Sequence, residues 1–176
     1  MSKLSVQQRG LGLAYTFLAG WSTYQIIDTW EDTSGFILFS AFLLIWLSDS
    51  MAYVGGRLVG RTPLAPLLSP KKTWEGAISG AVFTLLIGSA YLVQMDGPIS
   101  SYLEPSTWPR YAWLFPLVVV FTAPVGDLLG SKFKRLADVK DSGVFLPGHG
   151  GFLDRFDSFL LTIIVLALFQ SYILIA

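Results

Sequence analysis

Five long apolar runs limit this chain more than any other feature of its sequence: residues 11–27, 36–54, 77–95, 111–129 and 159–176. At about 1.5 Å of rise per residue, each is close to matching the ~30 Å hydrocarbon core of a bilayer. Lipid offers no partner to an open sheet edge, so the runs predict helices. Only 14% of the residues are charged and 53% are hydrophobic, where soluble domains run near ~25% charged. The expectation is an all-α, polytopic integral membrane protein with about five transmembrane helices, forming one domain over residues 1–176. Lys3 and Arg9 before the first run give it the flank of a signal peptide. No small-residue cleavage site follows, and Asp28-Thr-Trp-Glu-Asp32 reads as a loop, so this run is expected to stay as a helix. Cysteine is absent, which excludes a disulfide framework and a thiolate metal site.

Charge sets the orientation. Five helices put the N-terminus, the second loop and the fourth loop on one side. That side carries Lys3, Arg9, Arg57, Arg61, Lys71, Lys72, Lys132, Lys134, Arg135, Lys140 and Arg155, and the other carries only Arg110. By the positive-inside rule the rich side is cytoplasmic, with the N-terminus in and the C-terminus out. The cytoplasmic loops are unusual in content. Residues 131–157 interleave five cations, four aspartates, four glycines and His149, the sole histidine. Spanning a membrane requires nothing of the kind, whereas a site for a metal ion and several phosphates does. Because these charges gather at one face and not at the midplane, a transporter is disfavoured.

Several residues in these loops can carry chemistry. Asp127 closes the fourth run, and a carboxylate within a membrane helix is a functional candidate by default. The plainer reading makes it an interfacial aspartate neutralised by Lys132 or Lys134. If the helix continues, Ser131 and Lys134 follow on the same face, aligning a carboxylate, a hydroxyl and an ammonium. Asp154 and Asp157 open the fifth helix on one face. Capping explains one of them well and two less well. Oxygen ligands from Asp127 and Asp154 suit Mg²⁺, with Asp157 as a supporting group. Pro147-Gly-His-Gly-Gly151 is a bend of low bulk, where backbone N–H groups can approach a phosphate and His149 can bind or orient. Asp49, inside the second run beside Ser48, Ser50 and Tyr53, is either a polar cluster tying helices together or part of the site. In Ser69-Pro-Lys-Lys-Thr-Trp-Glu75-Gly76, Lys71 and Lys72 contact phosphates or merely anchor the membrane boundary, while Thr73 and Glu75 cap the third helix.

Together these residues resemble the phosphatidate cytidylyltransferase (CDP-diacylglycerol synthase) family. The resemblance rests on Ser131-x2-Lys134-Arg135-x4-Lys140-Asp141-x-Gly143-x3-Pro147-Gly-His-Gly-Gly151-x2-Asp154-Arg155-x-Asp157, on Asp127 four residues earlier, on SPKKTWEG, and on Asp49…Ala52-Tyr53…Gly56-Arg57. It runs from about residue 44 onward and marks a short form without the extra N-terminal helices usual in bacterial members. It implies a reaction in which CTP and phosphatidate give CDP-diacylglycerol and pyrophosphate with Mg²⁺, alone or with a second cation. Asp127 and Asp154 are the implied metal ligands, with Ser131, Lys134, Arg135 and Asp157 in the site. The implied setting is the cell (inner) membrane, among membrane lipids, often as a homodimer and with no nucleic-acid partner. Length also resembles the archaeal CDP-archaeol synthases, which act on an ether-lipid phosphate. A CTP-dependent lipid kinase would likewise face the cytoplasm with basic loops. An inactive shortened paralogue serving as a partner subunit is disfavoured by the intact Asp127, Asp154 and Asp157.

Chemically, a lipid phosphate is largely dianionic near neutrality, since its second pKa lies at about 6. It needs no strong base to attack the α-phosphorus of CTP. Lys134, Arg135 and Lys140 would take the triphosphate, and Lys71 and Lys72 would steer the anions.

Overall fold

A computed structural model of the chain describes residues 5–29, 34–94, 113–139 and 153–175. Each apolar run becomes a helix: α1 (Val6–Thr29), α2 (Ser34–Val59), α3 (Trp74–Gln94), α4 (Leu114–Leu136) and α5 (Leu153–Ile175). The helices outrun the apolar stretches at their polar ends. α4 continues past residue 129 and carries Ser131, Lys134 and Arg135 on its last turns. Among the described residues, α2, α3 (over Trp74–Leu92) and α4 are long and apolar enough to cross a membrane. α5 holds a shorter apolar stretch, Phe156–Phe169. α1 is 24 residues long, or about 36 Å, but Gln7, Gln8, Arg9, Ser22 and Thr23 dilute its apolar content.

The helices pack chiefly as two pairs, α2 on α3 and α4 on α5, with α1 lying mainly on α5. Lipid tails are as apolar as leucine, so close backbone approach has to supply the attraction between helices. Small residues allow it. A Cβ added at Gly76 would sit 2.6 Å from the Ala52 carbonyl, and one at Gly80 would sit 2.7 Å from that of Ser48. Where the pairs meet, Ala41, Leu44, Val119, Ala123 and Ile163 are fully buried. Thr122 and Thr162 join α4 to α5 in that interior through hydroxyls 2.9 Å apart.

Between α2 and α3 the structure adds a feature to the all-α expectation. β1 (Pro63–Ala65) and β2 (Ser69–Thr73) form an antiparallel hairpin with an irregular register. Its turn is closed by the Leu68 N–H donating to the Ala65 carbonyl at 3.1 Å, with Pro66 in the position where its fixed φ favours such a turn. Thr73 caps α3 as expected, its hydroxyl accepting the Gly76 N–H at 3.2 Å. Glu75 does something else. Its carboxylate folds back to accept the Arg61 N–H at 3.1 Å, the Thr62 N–H at 3.1 Å and the Thr62 hydroxyl at 2.8 Å. The first turn of α3 therefore anchors the hairpin.

At its far end α4 stops in a Schellman motif. The Asp138 N–H donates to the Arg135 carbonyl and the Val139 N–H to that of Lys134, both at 3.0 Å. Asp138 takes φ 57° there, the left-handed region that glycine tolerates best. Asp138→Gly is expected to raise thermal stability by about 0.5–1 kcal/mol, and Asp138→Val to lower it by about 1–2 kcal/mol. Melting curves of purified protein in detergent check both.

Candidate active site

Alternating helix directions bring the C-terminal half of α2, the N-terminus of α3, the C-terminal half of α4 and the start of α5 to one end of the bundle. The hairpin lies across that end. A cavity of about 480 Å³ opens there, its polar lining drawn from Asp49, Tyr53, Arg57, Lys71, Lys72 and Asp127. Pro124 also lines it, and as a proline it cannot donate to the Val120 carbonyl one turn earlier.

The charges are arranged around Lys72. Its ammonium pairs with the Asp127 carboxylate. Asp49 lies within electrostatic reach of both. On the far side, so does Asp157 of α5. Asp157 is only 9% exposed. One of its oxygens accepts the Ser158 N–H at 2.8 Å, and the other lies 3.9 Å from the Lys134 ammonium. Two carboxylates, Asp49 and Asp127, thus share the cavity wall with three cations, Arg57, Lys71 and Lys72, and Asp157 adds a third carboxylate behind it.

Next to this chamber of mixed charge is a cavity of about 330 Å³ lined by Ser69, Lys71, Ser131, Lys134 and Arg135, together with Leu68 and Pro70. Among the described residues, every charged group on its wall is a cation. Lys71 borders both spaces. Neighbouring side chains leave a strand on opposite faces, so the hairpin delivers Lys72 to the carboxylates and Lys71 to the boundary between the compartments.

The expected residues fall into place unevenly. Asp127 and Ser131 share a helix face as predicted, with the Ser131 hydroxyl 3.4 Å from the Asp127 carboxylate. Lys134 is turned toward Asp157, and the partner of Asp127 is Lys72 from the hairpin, not Lys132 or Lys134. Asp49 joins the chamber wall. Arg135 and Lys71 line the cationic space. Lys140 and His149 lie outside the described residues, as does the side chain of Asp154 in the first turn of α5. Among the described residues, no group of three or more His, Cys, Asp or Glu is gathered tightly enough to hold a metal ion. The possible ligand atoms around Asp127, the Ser131 hydroxyl and the Asp49 and Asp157 carboxylates, are oxygens and fit Mg²⁺, which would take the place at Asp127 that the Lys72 ammonium holds here.

Tyr53 and Arg57, which the sequence reading placed in the Asp49 element, line the mixed-charge chamber one helical turn apart, with Arg57 donating to the Tyr53 hydroxyl at 3.3 Å. One contribution escaped the sequence, the close seat of Asp157 against α4. Gly126 and Gly130 form a groove that admits it: a Cβ at Gly130 would lie 2.7 Å from the Asp157 Cβ.

Because the hairpin carries both lysines, its anchor matters to the site. Glu75→Ala is expected to loosen it, so that trypsin cuts after Lys71 and Lys72 faster than in the unaltered protein, as mass spectrometry of the fragments would show.

Fold and site define a helical membrane protein built around a divided polar site, with carboxylates and cations mixed on one side and cations on the other. Sequence comparison gives that class its family. The chain belongs to the cytidylyltransferase family, which it matches over residues 2–173. It is 37% identical over 157 residues to a phosphatidate cytidylyltransferase of Staphylococcus saprophyticus, covering 89% of this chain and 53% of that protein. The phosphatidate cytidylyltransferase of Rickettsia conorii is 36% identical over 143 residues, 81% of this chain and 61% of the other. That of Staphylococcus aureus (strain COL) is 36% identical over 170 residues, 96% of this chain and 58% of the other. The chain therefore spans between half and two thirds of the length of these curated relatives.

Proposed function

We propose that this chain transfers the cytidylyl group of CTP to phosphatidate, giving CDP-diacylglycerol and pyrophosphate at the cytoplasmic face of the cell membrane. The observation that carries this reading is a cavity walled by cations beside one that holds the Asp49 and Asp127 carboxylates, with Lys71 bordering both. A polyphosphate suits the first, carboxylate oxygens for a metal ion lie in the second, and the reaction needs the two side by side. The names of the relatives supply the substrate class, and the concentration of cations on one side supports the orientation.

In this reading the triphosphate lies against Lys71, Lys134 and Arg135, with Lys140 adding charge. A phosphate oxygen of the lipid forms a bond to the α-phosphorus, the bond from that phosphorus to the bridging oxygen breaks, and pyrophosphate leaves with the electron pair. Repulsion between anions and poor alignment make up most of the barrier, so positioned cations do most of the work. Ser131 orients Asp127, and Asp157 orients Lys134. Asp127 and Asp154 would hold Mg²⁺, which when bound neutralises charge on the reacting phosphates. Asp49 and Lys72 keep the chamber polar and set the position of the Asp127 carboxylate.

The purified chain, given CTP and Mg²⁺, is expected to release pyrophosphate only when a lipid phosphate is added. Parallel assays with phosphatidate and with a dialkyl ether-lipid phosphate rank the acceptors. Release that ignores lipid, or none with either acceptor, counts against the proposal.

A further inference from the structure

α1 meets the other helices along Gln8, Gly12, Tyr15, Ala19, Ser22 and Ile26, a spacing of three and four residues that marks one helix face. The two halves of this stripe differ. Ala19, Ser22 and Ile26 are at most 3% exposed, so the far half is closely packed. At the site end α1 stands away from α4 and α5 over a cavity of about 420 Å³. Gln8, Arg9, Tyr15 and Asp157 supply much of its polar lining, and Phe133 and Leu160 contribute apolar wall.

Three features of this space point to one kind of occupant. The Tyr15 ring leans on Phe133 with centroids 6.1 Å apart, and its hydroxyl is buried with no hydrogen-bond partner among the described residues. Such a donor is costly, and a small turn of the side chain from beneath the cavity wall would give it an acceptor in the cavity. Neighbouring α1 side chains Leu11, Leu13 and Phe17 are 63–74% exposed, as suits a helix whose outer face meets lipid. Finally, Asp157 lines this cavity while pairing with Lys134, which lines the cationic one. The cavity therefore ends one side chain away from the place where the acceptor phosphate must react. A triphosphate suits it poorly, because among the described residues its lining sets one cation, Arg9, against a carboxylate and apolar walls.

We propose that this cavity seats the glycerol-ester segment of the phospholipid acceptor. Tyr15 donates its O–H to an ester carbonyl, Arg9 flanks the lipid phosphate, and Phe133 and Leu160 contact the first methylenes of a chain. The assignment rests on the reading of the site as a lipid cytidylyltransferase and gives the acceptor a location.

The test uses the whole chain in mixed micelles, with CTP saturating and phosphatidate varied. Tyr15→Phe and Arg9→Gln are each expected to raise the KM for phosphatidate by about three- to tenfold, the worth of one hydrogen bond, with kcat and the KM for CTP held. Phe17→Ala, on the lipid-facing side of α1, should not change it. With a dialkyl ether acceptor, which has no ester carbonyl, the Tyr15→Phe penalty should vanish, a split that a packing defect would not produce. Independently of turnover, phosphatidate carrying a diazirine beside its glycerol should photolabel residues 8–16. Excess phosphatidate should block this labelling, and phosphatidylcholine should not. Unchanged lipid KM in both variants, or labelling elsewhere, overturns the seat and leaves the reaction standing. Labelling blocked equally by phosphatidylcholine also overturns it, since the cavity would then hold bulk lipid. Blocked labelling in a protein without turnover supports the seat and removes the proposed reaction.

Discussion

Asp127→Asn should abolish nearly all turnover, lowering lipid-dependent pyrophosphate release by about a hundred- to a thousandfold. The change keeps the shape of the side chain and removes one charge. Asp127 is the carboxylate on which the chamber converges: it pairs with Lys72, accepts from Ser131 and lies within reach of Asp49 and Asp157. If it also holds Mg²⁺, its loss forfeits charge stabilisation worth several kcal/mol, and ~2.7–4 kcal/mol corresponds to that range of rates. Asp154→Asn should fall in the same range. Asp127→Asn should purify and melt close to the unaltered protein, since Asp127 and Lys72 are 29% and 28% exposed, so that part of their charge remains solvated. Near-normal turnover in either variant at saturating Mg²⁺ would remove that residue from the metal site.

Gly130→Val should cost stability and activity together. A bare Cβ at this position already lies 2.7 Å from the Asp157 Cβ and 3.0 Å from one of its carboxylate oxygens. A turn earlier, a Cβ at Gly126 would lie 2.8 Å from the Asp157 carbonyl and 2.9 Å from the Ser158 Cα. The neighbour in each case is α5 itself, so the helix has to move. Overpacking of this kind costs about 1–3 kcal/mol, and the movement pulls Asp157 away from Lys134. Gly20→Ala is the matching control, because nothing lies within 4 Å of its added Cβ. It should be neutral or stabilising by about 0.5–1 kcal/mol. Thermal unfolding and turnover, measured on the same preparations, separate the two outcomes.

The helices were legible in the sequence because lipid imposes a single rule, that apolar runs of sufficient length become helices. Their ends were less so. α2 and α4 continue into charged sequence, since Arg57, Lys134 and Arg135 tolerate helical turns at a membrane boundary where their cations meet water. On the Asp127 stripe, periodicity correctly placed Ser131 beside the carboxylate. It did not identify Lys72 as the partner of Asp127, because that contact joins a loop to a helix far along the chain and leaves no periodic trace. The hairpin was hidden for a similar reason. Pro63 and Pro66 are poor strand formers, and Glu75, a residue that looked like a helix cap, instead holds Arg61 and Thr62 at the entrance to the hairpin. The Gly126 and Gly130 spacing was visible, but only the structure shows that Asp157 fills the groove. Glycine there serves the site as well as the packing of α4 on α5.

The central claim is that the carboxylate-bearing and cationic cavities act as one site for moving a cytidylyl group onto a lipid phosphate. The most direct measurement follows the label from CTP into extracted lipid, using the purified chain with Mg²⁺ and phosphatidate. In parallel reactions CTP carries the label on its α-phosphate or its γ-phosphate. The account predicts lipid labelled from the α-phosphate alone, with the γ-label recovered in pyrophosphate. Lipid labelled from the γ-phosphate would mean phosphoryl transfer by a kinase and would contradict it.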